Sequence, residues 1–525
     1  MFESLIKERK LVLALFLLIS CVVLEGCINS EDELKSELLS SNQPGESAQV
    51  SPGTADFSKY VAVGNSLTAG FMDAALYNGG QVYSYANLLS KEMRLAGGGS
   101  FNQPDINSVN GYNVSVSDPE NGIILGRFVL NTSIPGPEPL ADGDLTSILT
   151  PYTGSVNNFG VPAARVVDIV VPAYGTPDLN GDMIPEGNPF YVRFASDPGN
   201  STVLGDAAAA NGSFVSIWIG QNDLLGYLTS GGTSADVEDN PAAIQSPSSL
   251  TDVAYFTDAL SAVVGTMTGG GQKGGVIANL LDATFTPFFR AVPYNAIPLN
   301  AATAAFLMAG PNGDDGFNDY NDGLDQLAFL GLITQADADA RKVNLVAGAN
   351  PILMEDDQLE DISQYDPSLE GRGQMRPMKP GELPLLTSAT VLNTQPEGLP
   401  ATAVYGVTWP LPEMYTLAAD ELARHADRLA DFNATISAQA TANNLALVDA
   451  YAIMRGIAAG GGVEVEGQML LPDFSPNGVF STDGIHPNPR GQAILANAFI
   501  DAINTQYGST LQKVDVLNLP GVSFK

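Results

Sequence analysis

A serine, a histidine and a carboxylate suffice for nucleophilic acyl chemistry when the histidine can take the serine proton and the carboxylate can orient the ring. This chain restricts the choice, because it has only two histidines, His425 and His486. His486 lies in Ser481-Thr-Asp-Gly-Ile-His-Pro-Asn488, three residues after Asp483, in a loop rich in Gly, Pro and Asn. His425 falls in the long helical segment 418–444, among Arg424, Asp427 and Arg428, and reads as a solvated helix-face residue. The serine candidate is Ser66, in Val61-Ala-Val-Gly-Asn-Ser-Leu-Thr-Ala69. There the apolar run Tyr60–Val63 reads as a buried strand, Gly64 stops it, and a helical pattern starts at Ser66. A serine at such a turn has its side chain at a sheet end and its amide at a helix N-terminus, where a developing oxyanion can be stabilised. Taken alone, Ser66 reads as a helix N-cap. The Asp-x-x-His segment is what turns the reading toward chemistry.

Two stretches between them extend the pattern. Asn157-Asn-Phe-Gly-Val-Pro-Ala163 offers a glycine amide at a turn before a predicted short helix. Phe214-Val-Ser-Ile-Trp-Ile-Gly-Gln-Asn-Asp223 reads as a buried strand that ends on a side-chain amide. In order, these four blocks resemble those of the SGNH (GDSL-type) ester hydrolases. The resemblance implies Ser66 as nucleophile and His486 as general base oriented by Asp483. It implies an oxyanion hole from the Ser66 and Gly160 amides and the Asn222 side chain, with no metal or organic cofactor. One position departs from the family's Gly-Asp-Ser-Leu: Asn65 keeps a hydrogen-bonding side chain and loses the charge.

The elements needed to position these blocks follow from the periodicities. Strand and helix patterns alternate from Lys59 onward: strands near 59–63, 214–219, 275–281 and 445–449, and helices near 83–95, 162–169, 251–267, 418–444 and 491–505. Strands separated by helices predict a mainly parallel sheet. The resemblance implies a three-layer α/β/α sandwich of flavodoxin-like type, and the four blocks then fall at the carboxyl ends of strands. The hydrolase domain, 56–525, exceeds what a minimal sandwich needs, so large loop and helical insertions are expected near 97–155, 175–212 and 285–400.

The N-terminus reads as processing signal. Lys7, Arg9 and Lys10 precede the apolar run 11–24, too short for a membrane span and suited to a signal peptide over 1–26. The run closes on Leu24-Glu25-Gly26-Cys27, which resembles a bacterial lipobox, so Cys27 is the expected lipidation site. Residues 27–55 then form the lipidated cysteine and a Ser-, Glu- and Gly-rich tether with a reach of about 30 Å. Asn29-Ser-Glu-Asp-Glu33 resembles an acidic surface-export signal. An outer-membrane lipoprotein facing outward is expected, monomeric and touching membrane through its anchor only. With Cys21 removed and Cys27 lipidated, neither disulfides nor thiol chemistry are expected.

Charge narrows the partners. The chain has 58 acidic against 23 basic residues, a net charge of −35, which repels nucleic acid and anionic surfaces. Several other stretches read as structural: Asp178-Leu-Asn-Gly-Asp182 as a surface turn lacking the Gly and Glu of a calcium loop, Asp314 to Asp325 as a solvated acidic face, and Gly269–Gly275 as a connector. Tyr405–Pro412 reads as core packing. The expected function is hydrolysis of carboxylic esters through an acyl-enzyme. The alternative is a surface-displayed glycan- or lipid-binding protein on a weakened hydrolase scaffold, motivated by Asn65 and the insertions.

Overall fold

Strand β1 (Tyr60–Gly64) is buried at every position, as the unbroken apolar run requires of a strand covered on both faces. The computed structural model describes residues 50–131, 133, 136–181, 184–233 and 246–525. Among them, β1 is joined by β2 (Asn158–Gly160), β3 (Phe214–Trp218), β4 (Gly274–Ala278) and β5 (Ala446–Val448) in one sheet of order β5-β4-β3-β1-β2. Every pairing is parallel. This is the doubly wound, flavodoxin-like order, whose strand sequence reverses at β1. The register aligns Gly64 with both Gly160 and Trp218, so the ends of three strands lie level beneath the nucleophile turn.

Helices cover both faces. Seven matter to the site and its support: α1 (Ser66–Ala69), α2 (Tyr85–Leu95), α3 (Asn222–Thr229), α4 (Val253–Thr268), α5 (Ala419–Ala442), α6 (Ala450–Ala459) and α7 (Pro489–Tyr507). On one face, Tyr85 of α2 stacks on Phe499 of α7 at 4.6 Å and meets Trp218 of β3 edge-on at 5.3 Å. On the other, Phe256 of α4 lies parallel to Phe432 of α5 with ring centroids 3.7 Å apart. Val61, Val63, Val215 and Ile217 point into that second layer, as the two-residue period of a strand dictates. The expected three-layer α/β/α sandwich is the observed fold.

Between α4 and α5 the chain inserts a body of its own. It includes the helices Ala301–Ala309, Phe317–Phe329 and Gln335–Arg341, and short antiparallel pairs such as Leu353–Glu355 with Met375–Pro377. Ile297, Ile352, Met354, Met378, Val407 and Leu411 form a separate core there, so Tyr405–Pro412 is packing material, as expected. The aspartates from Asp314 to Asp325 are solvent-exposed, and Asp325 pairs with Lys342 at 2.7 Å.

Some local expectations give way. The stretch 162–169 is a run of turns with a 3₁₀ segment at Asp168–Val170, because Ala163 adopts φ +65° and interrupts any helix there. Helices α3 and α6 occupy segments with no predicted element; both are short, and α6 is capped by Asp449, whose side chain accepts from the Ala452 amide. The calcium-like turn is described only in part, since 182 and 183 lie outside the described residues, as do Cys27 and the tether up to residue 49. Among the described residues, no helix is long and apolar enough to cross a membrane.

Candidate active site

Gly64 ends β1 because nothing larger fits. A Cβ there would lie 2.0 Å from Thr68 Oγ1 and 2.4 Å from the Trp218 carbonyl oxygen. The next residue, Asn65, is the helix N-cap, and its Oδ1 accepts from the Leu67 amide at 3.1 Å. This corrects the simplest reading of Ser66. Asn65 does the capping, so the uncharged side chain has a structural task and the Ser66 hydroxyl is left for another partner.

That partner is His486. Ser66 Oγ stands 2.9 Å from His486 Nε2, and His486 Nδ1 stands 2.9 Å from Asp483 Oδ2, bringing together residues 420 positions apart. The loop that carries the pair is tightly self-bonded. Asp483 Oδ1 accepts from the amides of Ile485 (2.9 Å) and His486 (2.8 Å), and Ser481 N–H donates to the His486 carbonyl at 2.7 Å. Asn488 closes the loop by capping α7 through the Arg490 and Gly491 amides. A further donor reaches Asp483 from outside: the Ala74 amide, 3.0 Å from Oδ2. Burial opposes the charge on Asp483, but the facing His486 ring and these amides overcome it and hold the carboxyl down at about 2. Phe71 covers the imidazole, ring centroids 5.0 Å apart and tilted by 55°.

Gly160 and Asn222 sit on the other side of the turn. Gly160 packs against α1, where a Cβ would come within 2.3 Å of the Ala69 nitrogen, so the position requires glycine. Its amide donates to Asn158 Oδ1 at 2.9 Å. Asn222 opens α3 and uses one of its two Nδ2–H groups on the Ala164 carbonyl at 2.9 Å. Its neighbour Asp223, fully buried, accepts from the Val166 amide at 2.8 Å. The pair therefore clamps the 164–166 turn onto the end of β3. Burial pushes the Asp223 carboxyl up to about 7, against the Val166 amide, the Thr251 hydroxyl and the Arg165 charge.

His425 is not the solvated residue its neighbours suggested. Glu421, His425, Arg428, Phe432, Ile436 and Ala440 form one buried stripe along α5, and His425 is 1% exposed. Helical spacing put it on an inward face whose first residues happen to be polar, which disguised the stripe. Burial pushes its pKa down and keeps the ring neutral. Two contributors carried no signal in local pattern: Phe71 over the imidazole, and the turn at Asp73 and Ala74 that reaches Asp483.

Comparison with known proteins agrees with this architecture. Neither the curated proteins nor the solved structures contain a match to the chain. Residues 355–499, which include Asp483 and His486 but not the serine, glycine and asparagine blocks, match the GDSL-like Lipase/Acylhydrolase family. That match, on a parallel five-stranded sandwich, makes residues 355–499 similar to the GDSL-like lipase/acylhydrolases and supports a hydrolase of ester or acyl substrates.

Proposed function

We propose that the protein hydrolyses carboxylic esters through an acyl-enzyme on Ser66. The observation that carries this reading is the unbroken row Ser66 Oγ, His486, Asp483, with both hydrogen bonds at 2.9 Å. His486 Nε2 takes the hydroxyl proton as Oγ attacks the carbonyl carbon, and Asp483 holds the ring with Nδ1–H toward it. The tetrahedral oxyanion is received by the Ser66 amide and the second Nδ2–H of Asn222. Gly160 joins them by exchanging its bond to Asn158 Oδ1 for the oxyanion. His486 then returns the proton to the departing alcohol. A water, deprotonated by the same ring, releases the acid and restores Ser66.

Chromogenic esters of increasing acyl length test the reading. Turnover by residues 56–525 supports it, and the length profile sizes the acyl site. In the same assay Asn222→Ala is expected to lower kcat by about 10²–10³-fold with the fold retained. Wild-type turnover in that variant would remove Asn222 from the site.

We further propose that the protein is an outer-membrane lipoprotein anchored through Cys27, a reading supported by the Leu24–Cys27 sequence alone. Intact-mass analysis of membrane-fraction protein is expected to show a lipidated N-terminal Cys27; an unmodified cysteine would refute the anchor.

A further inference from the structure

Ser66 and the Asp483–His486 pair come from opposite ends of the chain, so something must set one against the other to within a fraction of an ångström. The loop's own hydrogen bonds shape it but do not index it to the nucleophile. Asp73 supplies that connection. It lies seven residues past Ser66, is 4% exposed, and directs its side chain to both partners. Oδ1 accepts from the Thr482 amide at 3.0 Å and from Thr482 Oγ1 at 2.7 Å. Oδ2 accepts from the Tyr77 hydroxyl at 2.8 Å, and Arg127 stands 3.9 Å away.

The backbone contributes as much. Asp73 and Ala74 are consecutive non-glycine residues at φ +56° and +60°, a left-handed conformation that side chains rarely adopt. The conformation turns two successive N–H groups toward the 481–483 loop. Asp73 N–H donates to Ser481 Oγ at 3.0 Å, and Ala74 N–H donates to Asp483 Oδ2, the oxygen that faces His486 Nδ1. Four hydrogen bonds thus join 73–74 to three consecutive residues, 481, 482 and 483. Strain retained in this manner marks a turn whose surroundings overdetermine it.

We propose that Asp73 is a positioning residue of the hydrolase, setting the Asp483–His486 pair against Ser66 through Thr482 and through the left-handed turn that aims the Ala74 amide. This role rests on the reading of Ser66 as nucleophile above. Asp73 touches neither substrate nor the reacting atoms, and acts only through the loop.

The test compares Asp73→Asn and Thr482→Val with the wild type and with Ser66→Ala. Readouts are kcat and KM on p-nitrophenyl butyrate, the melting midpoint, and the downfield proton resonance of His486 Nδ1–H. Asp73→Asn presents an amide N–H where Tyr77 now donates, and Thr482→Val removes one hydrogen bond without changing side-chain shape. Asp73→Asn is expected to lower kcat by about tenfold to 10²-fold, with KM within about twofold, and to shift or broaden the resonance. Thr482→Val should move both readouts in the same direction by less. A lowered melting midpoint with wild-type kcat and an unchanged resonance in the folded protein would overturn the proposal. If Asp73→Asn does not fold, Thr482→Val decides, and wild-type turnover there overturns it. Wild-type turnover in Ser66→Ala overturns the nucleophile reading and this one together, whereas an inert Ser66→Ala beside an unaffected Asp73→Asn refutes the positioning role alone.

Discussion

Replacing Ser66 with alanine is expected to abolish ester turnover, with kcat falling by about 10⁴-fold or more while the fold survives. The size follows from what the hydroxyl does. In the proposed mechanism, losing Oγ removes the nucleophile, the acyl-enzyme and the proton that His486 carries, and leaves only substrate binding and the oxyanion donors. The fold should survive because Ser66 holds the turn through its backbone. Its carbonyl accepts from the Gly70 and Phe71 amides at 3.0 Å, and the capping of α1 belongs to Asn65. A hydroxyl-to-hydrogen change leaves all of these contacts in place. Turnover of chromogenic esters, measured with the melting midpoint, checks both halves. Appreciable turnover by the Ser66→Ala variant would assign the chemistry to another residue.

Asp483→Asn is the second large effect, an expected loss of about 10⁴-fold in kcat with little change in KM. Asparagine keeps the shape, and its oxygen can still accept from the Ile485 and His486 amides where Oδ1 now does. The amide nitrogen then faces both His486 Nδ1 and the Ala74 N–H, so a donor opposes donors. The imidazole is driven toward the tautomer with its proton on Nε2, where it cannot take the Ser66 proton. Stability should respond to pH with a definite sign. Since the folded carboxyl sits at about 2, below its ordinary 3.8, its contribution is complete above the ordinary value and disappears as pH falls through about 2. The wild type should therefore lose its stability advantage over Asp483→Asn between about pH 4 and 2, read by chemical denaturation at each pH. An advantage that persists to the bottom of that window would contradict the charged, hydrogen-bonded carboxylate described here.

Much of this protein is legible in its sequence because the relevant physics is local. Val61 to Ala69 spells a buried strand, a glycine stop and a helix start within nine residues, and Asp483 to Asn488 spells a carboxylate turn followed by a helix cap. Hydrophobic period marks four of the sheet's five strands, all but Asn158–Gly160, and with them comes the α/β class. The acidic surface is equally local, since exposed carboxylates need no partner.

What tertiary structure decided depends on contacts between distant positions. The pairing of Ser66 with His486 spans 420 residues, and no local pattern encodes the distance that makes it a hydrogen bond. The engagement of the Gly160 amide by Asn158, the capping by Asn65, and the clamp of Asn222 and Asp223 on 164–166 emerge only when the strand ends lie level. His425 looked solvated because its neighbours are charged; its burial is set by what packs on α5. Asp73 resembles any loop aspartate until the far end of the chain arrives against it. A carboxylate's role follows from the donors that surround it, and in a fold of crossing connections those donors come from elsewhere in the chain.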